Sequence, residues 1–454
     1  MRKLACAFCA ILVCARAIAD DSAEASSDAD ASLETATPAR DGPEQVNLRG
    51  QFTYVMQYHP AFASPYGSAN SLYAGGSAKE TADLTLFAGT RLWRDAELYV
   101  NPEIDQGFGL SNTLGVAGFP SGEAYKVGAT TPYLRVPRLF IRQVVDLGGA
   151  TESVESQANQ LSGTRTHDNL VLTVGKFSVV DIFDTNAYAH DPRSDLLNWS
   201  IIDSGAFDYA ADAWGYTFGA AAEWTTGNWS FRGGLFDLSS TPNGKTVERN
   251  FGEYELVGEV ENRYEFDGHA GKMKLLGFVN QGRMARYDDA VRLAQETGGI
   301  PDVASVRHFS SRPGFALNLE QELAPGIGVF ARASANDGSK EAYEFTEINR
   351  SVTGGLSIKG LRWGRASDTF ALAVAVNGLS GPARRYFAAG GLGILIGDGR
   401  LPNVGQERIA ETYYTLSAMD KVTLTADYQY VIDPAYNRDR GPVSIIGARL
   451  HAEF

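Results

Sequence analysis

Residues 252–266 read GEYELVGEVENRYEF, and this stretch decides the class of fold. Its odd positions are mostly charged: Glu253, Glu255, Glu259, Glu261, Arg263 and Glu265. Its even positions carry mostly apolar or aromatic side chains: Tyr254, Leu256, Val260, Tyr264 and Phe266. Because successive side chains of a strand point to opposite faces, this alternation predicts a strand with one polar and one apolar face.

The same alternation recurs along the chain and predicts about sixteen strands. They cover residues 48–59, 82–93, 96–106, 133–147, 169–180, 212–226, 228–238, 252–266, 271–283, 307–323, 326–335, 349–359, 368–379, 405–418, 421–432 and 442–454. Between them, tight turns alternate with long loops, except that the connections 148–168 and 360–367 are long where a tight turn is expected. Short turns on one side and long loops on the other are typical of outer-membrane barrels. We therefore predict an all-β fold: a transmembrane antiparallel β-barrel of about 16 strands with short periplasmic turns and long extracellular loops.

Aromatic residues near the predicted strand ends favour a membrane barrel over a soluble sandwich, which would also show alternation. They include Trp214, Tyr216, Trp224, Trp229, Phe231, Tyr413, Tyr414, Tyr428 and Tyr430. Such residues collect at the two interfaces of a lipid bilayer. After residue 19 no run of eighteen apolar residues occurs, which argues against transmembrane helices. Residues 288–297 predict a short helix in an outer loop.

The last strand predicts how the barrel is recognised for assembly. In residues 446–454, Leu450, Ala452 and Phe454 share one face, opposite Arg449 and His451. An amphipathic strand that ends in an aromatic residue fits the signal read by the outer-membrane assembly machinery, and we assign that role to Phe454. Many soluble proteins also end in phenylalanine, so the terminal phenylalanine favours a barrel only in combination with the turn pattern.

The first residues predict export. Arg2 and Lys3 precede a short apolar stretch, and residues 17–19 (AIA) form a small-x-small pattern, so we predict a signal peptide over 1–19. Residues 20–47 are rich in Ala, Ser, Asp and Glu and predict an acidic, flexible periplasmic segment. The barrel domain is predicted over 48–454, in the outer membrane of a Gram-negative cell.

Composition and motifs exclude several functions. The chain of 454 residues has 40 Lys and Arg against 54 Asp and Glu, a formal net charge of -14, which argues against nucleic acid as a partner. The six His have no metal-ligand spacing, and we expect no cofactor and no metal. An enzyme embedded in the barrel, such as a phospholipase, would need Ser and His on the lipid-facing wall, and the sequence contains no G-x-S-x-G. We therefore expect no catalytic residues.

Several long stretches then carry a family resemblance. They are GKFSVVDIFDTN at 175–186, YAHDPR at 188–193, GAFDY at 205–209 and NRDRGPV at 437–443. These stretches resemble the carbohydrate-selective outer-membrane porins of the OprB type, and the resemblance covers most of 48–454. It implies a sixteen-stranded porin that admits mono- or small oligosaccharides by diffusion. The alternatives are a general porin without sugar selectivity and the embedded enzyme, and the working unit is either a single chain or a homotrimer.

A barrel of about sixteen strands encloses water, so selectivity must come from inward side chains and infolded loops. Sugars need hydrogen-bonding groups beside aromatic rings, which residues 181–211 offer. We predict that the solute path is lined by Arg138, Arg142, Lys176, Asp184, Asn186, Arg193, Trp199, Glu255 and Glu259. We infer that basic and acidic ladders face each other across the lumen. Two alternatives stay open: neighbouring lumen charges pair within the wall, or the loop packs its own aromatics.

Overall fold

Residues 43–454, which the computed structural model describes, form a closed barrel of sixteen antiparallel strands. The strands are β1 Val46–His59, β2 Ser77–Trp93, β3 Ala96–Gly107, β4 Ala129–Val154, β5 Gly163–Phe177, β6 Thr217–Thr226, β7 Trp229–Asp237, β8 Tyr254–Phe266, β9 His269–Met284, β10 His308–Ala324, β11 Ile327–Asn336, β12 Arg350–Gly360, β13 Arg365–Gly378, β14 Glu407–Met419, β15 Val422–Ile432 and β16 Val443–Glu453. Each strand pairs with its neighbours in sequence, and β1 pairs with β16, so the sheet closes without a free edge. The predicted number of strands and the predicted fold class are confirmed. The predicted signal peptide and most of the acidic segment lie outside the described residues, and β1 begins at Val46, two residues earlier than predicted.

The two faces of the strands follow the predicted alternation. On β8, Glu255, Glu259 and Glu261 are buried inside the barrel, whereas Leu256 lies outside with 46% of its surface exposed. Exposed large aliphatic and aromatic side chains recur on the other strands, for example Met56, Leu134, Val174 and Leu275. The outer wall is therefore apolar and the lumen polar, as lipid outside and water inside require.

A register shift in β4 changes which positions face inward. Leu134 and Val136 are exposed at even positions, and Leu139 and Ile141 at odd positions. The ladder between β3 and β4 shifts register in between, opposite residues 101–103. A bulge of this kind adds one unpaired residue and reverses the parity of the strand beyond it. As a result Arg135 and Arg138 both turn toward the lumen.

The connections at one end of the barrel are short, and those at the other end are long. The long loops are L1 60–76, L2 108–128, L3 178–216, L4 238–253, L5 285–307, L6 337–349, L7 379–406 and L8 433–442. They carry the helices α1 Trp199–Ile202 in L3, α2 Tyr287–Thr297 in L5 and α3 Gly381–Ala388 in L7, and α2 confirms the helix predicted at 288–297. Among the described residues, no helix is long and apolar enough to cross a membrane.

Two expectations at the ends of strands are corrected. The connection after β12 is a short turn at 361–364, not a long loop, and β6 begins at Thr217. Trp214 and Tyr216 therefore belong to L3 and not to an aromatic girdle. The connection 155–162 folds back into the short-turn end, where the Leu161 backbone N–H donates to the Tyr99 hydroxyl at 3.0 Å.

Phe454 completes the closing pair of strands. Its backbone exchanges two hydrogen bonds with Gly50, and its ring covers the place where a Cβ of residue 50 would lie. The ring is otherwise exposed to the outside, by 59%. Its position beside the seam is consistent with the predicted assembly role, which stays a prediction.

We predict that Phe454→Ala lowers the yield of folded barrel in the outer membrane, because the closing seam loses its terminal aromatic contact. Heat-modifiable migration of membrane extracts on a denaturing gel measures the folded fraction. Phe266→Ala is the matched control, since Phe266 is also an exposed aromatic at the short-turn end. Equal folded fractions for both variants would contradict the role of Phe454.

Candidate functional site

Loop L3 lies inside the barrel and narrows it. Residues 196–213 of this loop are all buried. Its Trp199 stacks between Phe119 of L2 and Phe345 of L6, with ring centroids 5.0 and 4.5 Å away. The aromatic side chains of three loops thus form an apolar core within the lumen, and this core leaves a narrower route for water than the sixteen strands alone would enclose.

Carboxylates on the wall hold L3 by its backbone. Glu259 accepts a hydrogen bond from the N–H of Asp184 at 2.8 Å, and Glu255 accepts one from Ala210 at 2.9 Å. On the opposite wall, Glu411 accepts the N–H of Asn198 at 3.0 Å. A backbone group that is buried without a partner costs about 1–3 kcal/mol, so each of these contacts removes a large penalty.

Arginines on the wall bind the carbonyl groups of the same loop. Arg332 of β11 donates to the carbonyls of Ala189 and Ile201, both at 2.7 Å, and lies 3.5 Å from Asp184. Arg449 of β16 donates to the carbonyl of Pro192 at 2.6 Å. Wall acids therefore meet N–H groups of L3 and wall arginines meet its carbonyls, which fixes the path of the loop.

A second group of polar residues lies where β2 to β5 face L2 and L3, and we call it the eyelet. It comprises Asp83, Glu103, Asp105, Arg135, Arg138 and Lys176 from the wall, Glu123 and Tyr125 from L2, and Asp181, Arg193, Asp212 and Tyr216 from L3. The side chains of Arg138, Lys176 and Asp181 are 15–26% exposed, whereas the wall acids that hold L3 are almost fully buried. These three side chains keep the eyelet in contact with solvent, whereas its remaining acids and Tyr216 are buried.

Ion pairs and aromatic contacts order the eyelet. Arg138 forms a two-pronged pair with Asp181, with its closest oxygen at 2.6 Å. Arg193 lies within 3.7 Å of acids from the wall and from L2: Asp83, Glu103 and Glu123. The ring of Tyr216 lies 5.0 Å from the guanidinium of Arg135 and 5.0 Å from that of Arg138. The eyelet therefore presents charged hydrogen-bonding groups around a tyrosine ring.

The nine predicted path residues lie in three places. Arg138, Lys176 and Arg193 belong to the eyelet, and Arg142 lies nearer the short-turn end, where it donates to the carbonyl of Asn159 at 2.8 Å. The buried group, which does not line open space in this structure, is Asp184, Asn186, Trp199, Glu255 and Glu259. These five side chains face the lumen or lie in L3 as expected, but L3 packs against the wall and buries them.

The charges also pair differently from the inferred ladders. Arg135 on β4 pairs with Glu103 and Asp105 on β3, and Arg232 on β7 pairs with Glu259 on β8 at 2.7 Å. These contacts follow the alternative in which neighbouring lumen charges pair within the wall. The sequence interpretation missed Asp83, Glu103 and Asp105, although their alternation on β2 and β3 carried the necessary signal.

This geometry defines a class of protein: a barrel that spans a membrane, with a polar passage narrowed by an infolded loop. The family model described as "Carbohydrate-selective porin, OprB family" matches residues 69–454. The chain therefore belongs to the OprB family of carbohydrate-selective porins, whose members are channels of the outer membrane.

Individual relatives are more distant. The chain is 21% identical to porin AaxA of Chlamydia abortus over 367 residues, which cover 78% of this chain and 70% of the relative. The structure of Pseudomonas putida OprB at high pH superimposes with a TM-score of 0.69 at 16% identity, over 90% of this chain and 94% of that one. The outer-membrane channel DcaP of Acinetobacter baumannii gives a TM-score of 0.50 at 13% identity, over 91% and 98%. At these identities the structures support the shared fold.

We predict that Arg332→Met loosens L3, because the change leaves two carbonyls and the buried Asp184 without their cationic partner. Breaking a buried pair in this way costs about 3–5 kcal/mol. Single-channel recordings should show a noisier current and a higher mean conductance. Arg365→Met removes a half-exposed arginine from a pair with Asp368 and is the control; an unchanged trace for Arg332→Met would contradict the anchoring role.

The packing of L3 should also depend on pH through Asp203. Burial, reinforced by the nearby Asp184, raises the pKa of Asp203 to about 8, and His190 and Arg332 face the same carboxyl group. Because this pKa is raised, the buried group stays protonated while a solvated carboxyl ionises. The packed loop therefore loses stability as pH rises from about 4 to about 8.

We predict that current noise of the wild type grows over this pH range and that Asp203→Asn, which cannot ionise, removes part of the dependence. Recordings at pH 5, 7 and 8 measure the effect. The same pH profile in both proteins would exclude Asp203 as the responsible group.

Proposed function

We propose that the protein lets mono- and small oligosaccharides diffuse through the eyelet into the periplasm. The observation that carries the proposal is the solvent-accessible group of Arg138, Lys176 and Asp181 beside the ring of Tyr216, which is 5% exposed and packs against Arg135 and Arg138. A sugar has C–H faces that contact aromatic rings and hydroxyls that bond to charged groups. Membership of a carbohydrate-selective family supports the same solute class.

The eyelet suits passage better than tight binding. Its arginines already have carboxylate partners, so a passing hydroxyl exchanges one weak contact for another without leaving a charge unpaired. Several such contacts of modest strength let a solute enter and leave. We propose that Arg138, Lys176 and Arg193 contact the solute directly and that Asp184, Asn186, Trp199, Glu255 and Glu259 act by holding L3.

The charge of the lumen also affects which ions pass through the channel. Arg193 has more acids than bases around it. Removal of one eyelet arginine should therefore leave the negative charge of Asp181 or of the wall acids without its positive partner. We propose that a channel with fewer eyelet arginines favours cations. Arg142, at the short-turn end, contributes to the field at the exit of the path.

Reconstitution in planar bilayers tests the solute. We predict that mono- and disaccharides reduce the single-channel current in a concentration-dependent manner. Tyr216→Ala should weaken this block by roughly two- to tenfold, because aromatic contacts are worth about 0.5–1.5 kcal/mol. Tyr428→Ala is the control, since Tyr428 faces outward and is 41% exposed.

The outcomes separate the alternatives. A conductance that sugars do not change indicates a general porin, and hydrolysis of added phospholipid with no conductance indicates an embedded enzyme.

In the same recordings, Arg138→Gln should move the reversal potential toward cation selectivity, whereas Arg94→Gln, at the exposed turn after β2, should not. Equal block for Tyr216→Ala and the wild type would contradict the proposed contact.

A further inference from the structure

A groove crosses the outer wall of the barrel near its extracellular end, over strands β10 to β13. Its volume is about 280 Å³, close to the lower limit of roughly 300 Å³ for small-molecule sites. It is lined by Phe315, Ala333, Ala335 and Val352, and Arg350 and Gln406 lie at its outer end. Nothing in the proposed solute path uses these residues.

The shape of the groove follows from side-chain size and register. Phe315 pairs with Ala335 across β10 and β11, and Ala333 pairs with Val352 across β11 and β12. Phe315 and Val352 protrude, with 55% and 62% of their surfaces exposed, while the alanines between them form a low floor. Because this wall faces the bilayer, the groove presents an apolar channel to lipid chains.

Arg350 gives one end of the groove a positive charge. Its exposed side chain lies against the wall beside Gly378, where a Cβ would come within 2.7 Å of its Nε atom. The glycine thus leaves room for the side chain to lie flat. Among the described residues, no carboxylate forms an ion pair with Arg350. A cation at the membrane interface is stabilised by an anionic headgroup at the same depth.

We propose that this groove binds a phosphorylated glycolipid of the outer leaflet, with one acyl chain over Ala333 and Ala335 and a phosphate on Arg350. Arginine pairs with phosphate through two parallel hydrogen bonds, so Arg350 should bind a phosphorylated headgroup better than a neutral headgroup. Charge complementarity therefore favours the lipid.

Native mass spectrometry of the full barrel in detergent tests the site, with lipid A and dephosphorylated lipid A as the added probes. The wild type should bind lipid A more tightly than the dephosphorylated form. Arg350→Gln should weaken lipid A binding by roughly tenfold, the effect of one charge-assisted hydrogen-bonded pair, and remove the preference. Ala333→Phe, which fills the groove, should weaken the binding of both probes.

Two variants control for a general change in charge or surface. Arg408→Gln removes a neighbouring exposed arginine that pairs with Asp433, and Ala448→Phe enlarges an exposed alanine on β16, away from the groove. Both should bind lipid A like the wild type, and unchanged conductance shows that every variant is folded. Equal lipid binding by Arg350→Gln and wild type would overturn the proposal. So would an oligomer that Ala333→Phe dissociates, because a second copy would then occupy the groove.

Discussion

Backbone groups of L3 inside the barrel need hydrogen-bond partners, and the rest of the structure depends on how the wall supplies them. A loop buried in the lumen cannot satisfy its own N–H and carbonyl groups as a helix would. Glu255, Glu259 and Glu411 accept its N–H groups, and Arg332 and Arg449 donate to its carbonyls. The inward-facing charges of the wall therefore hold L3 in place.

The supports explain why a porin lumen this rich in charge is not a uniform polar tube. The wall charges that hold L3 lie on β8, β11, β14 and β16, around the aromatic core that the loops form at Trp199. Arg138 and Asp181, which pair with each other, remain where solvent reaches. The passage is therefore displaced toward β2 to β5, and its chemistry is set by Arg135, Arg138 and Tyr216.

Much of this architecture could be predicted from the sequence, because strand alternation and turn length are local properties. The pattern in 252–266 correctly places Glu255 and Glu259 inside. It could not show that these acids are covered, because burial depends on where L3 lies, and that is decided by contacts between residues far apart in sequence, such as Glu411 with Asn198. The bulge in β4 is a similar case: Arg135 and Arg138 differ in parity, and only the register against β3 shows that both face the lumen.

The placement of L3 against the wall can be measured directly with a cysteine pair, since the three native cysteines all lie within residues 1–14. The N–H of Ala206 in L3 donates to the Ser334 hydroxyl of β11 at 3.0 Å. The account predicts that Ala206→Cys with Ser334→Cys forms a disulfide in the folded barrel and leaves the single-channel conductance unchanged. Failure to cross-link, or a conductance that changes when the bond forms, would contradict it.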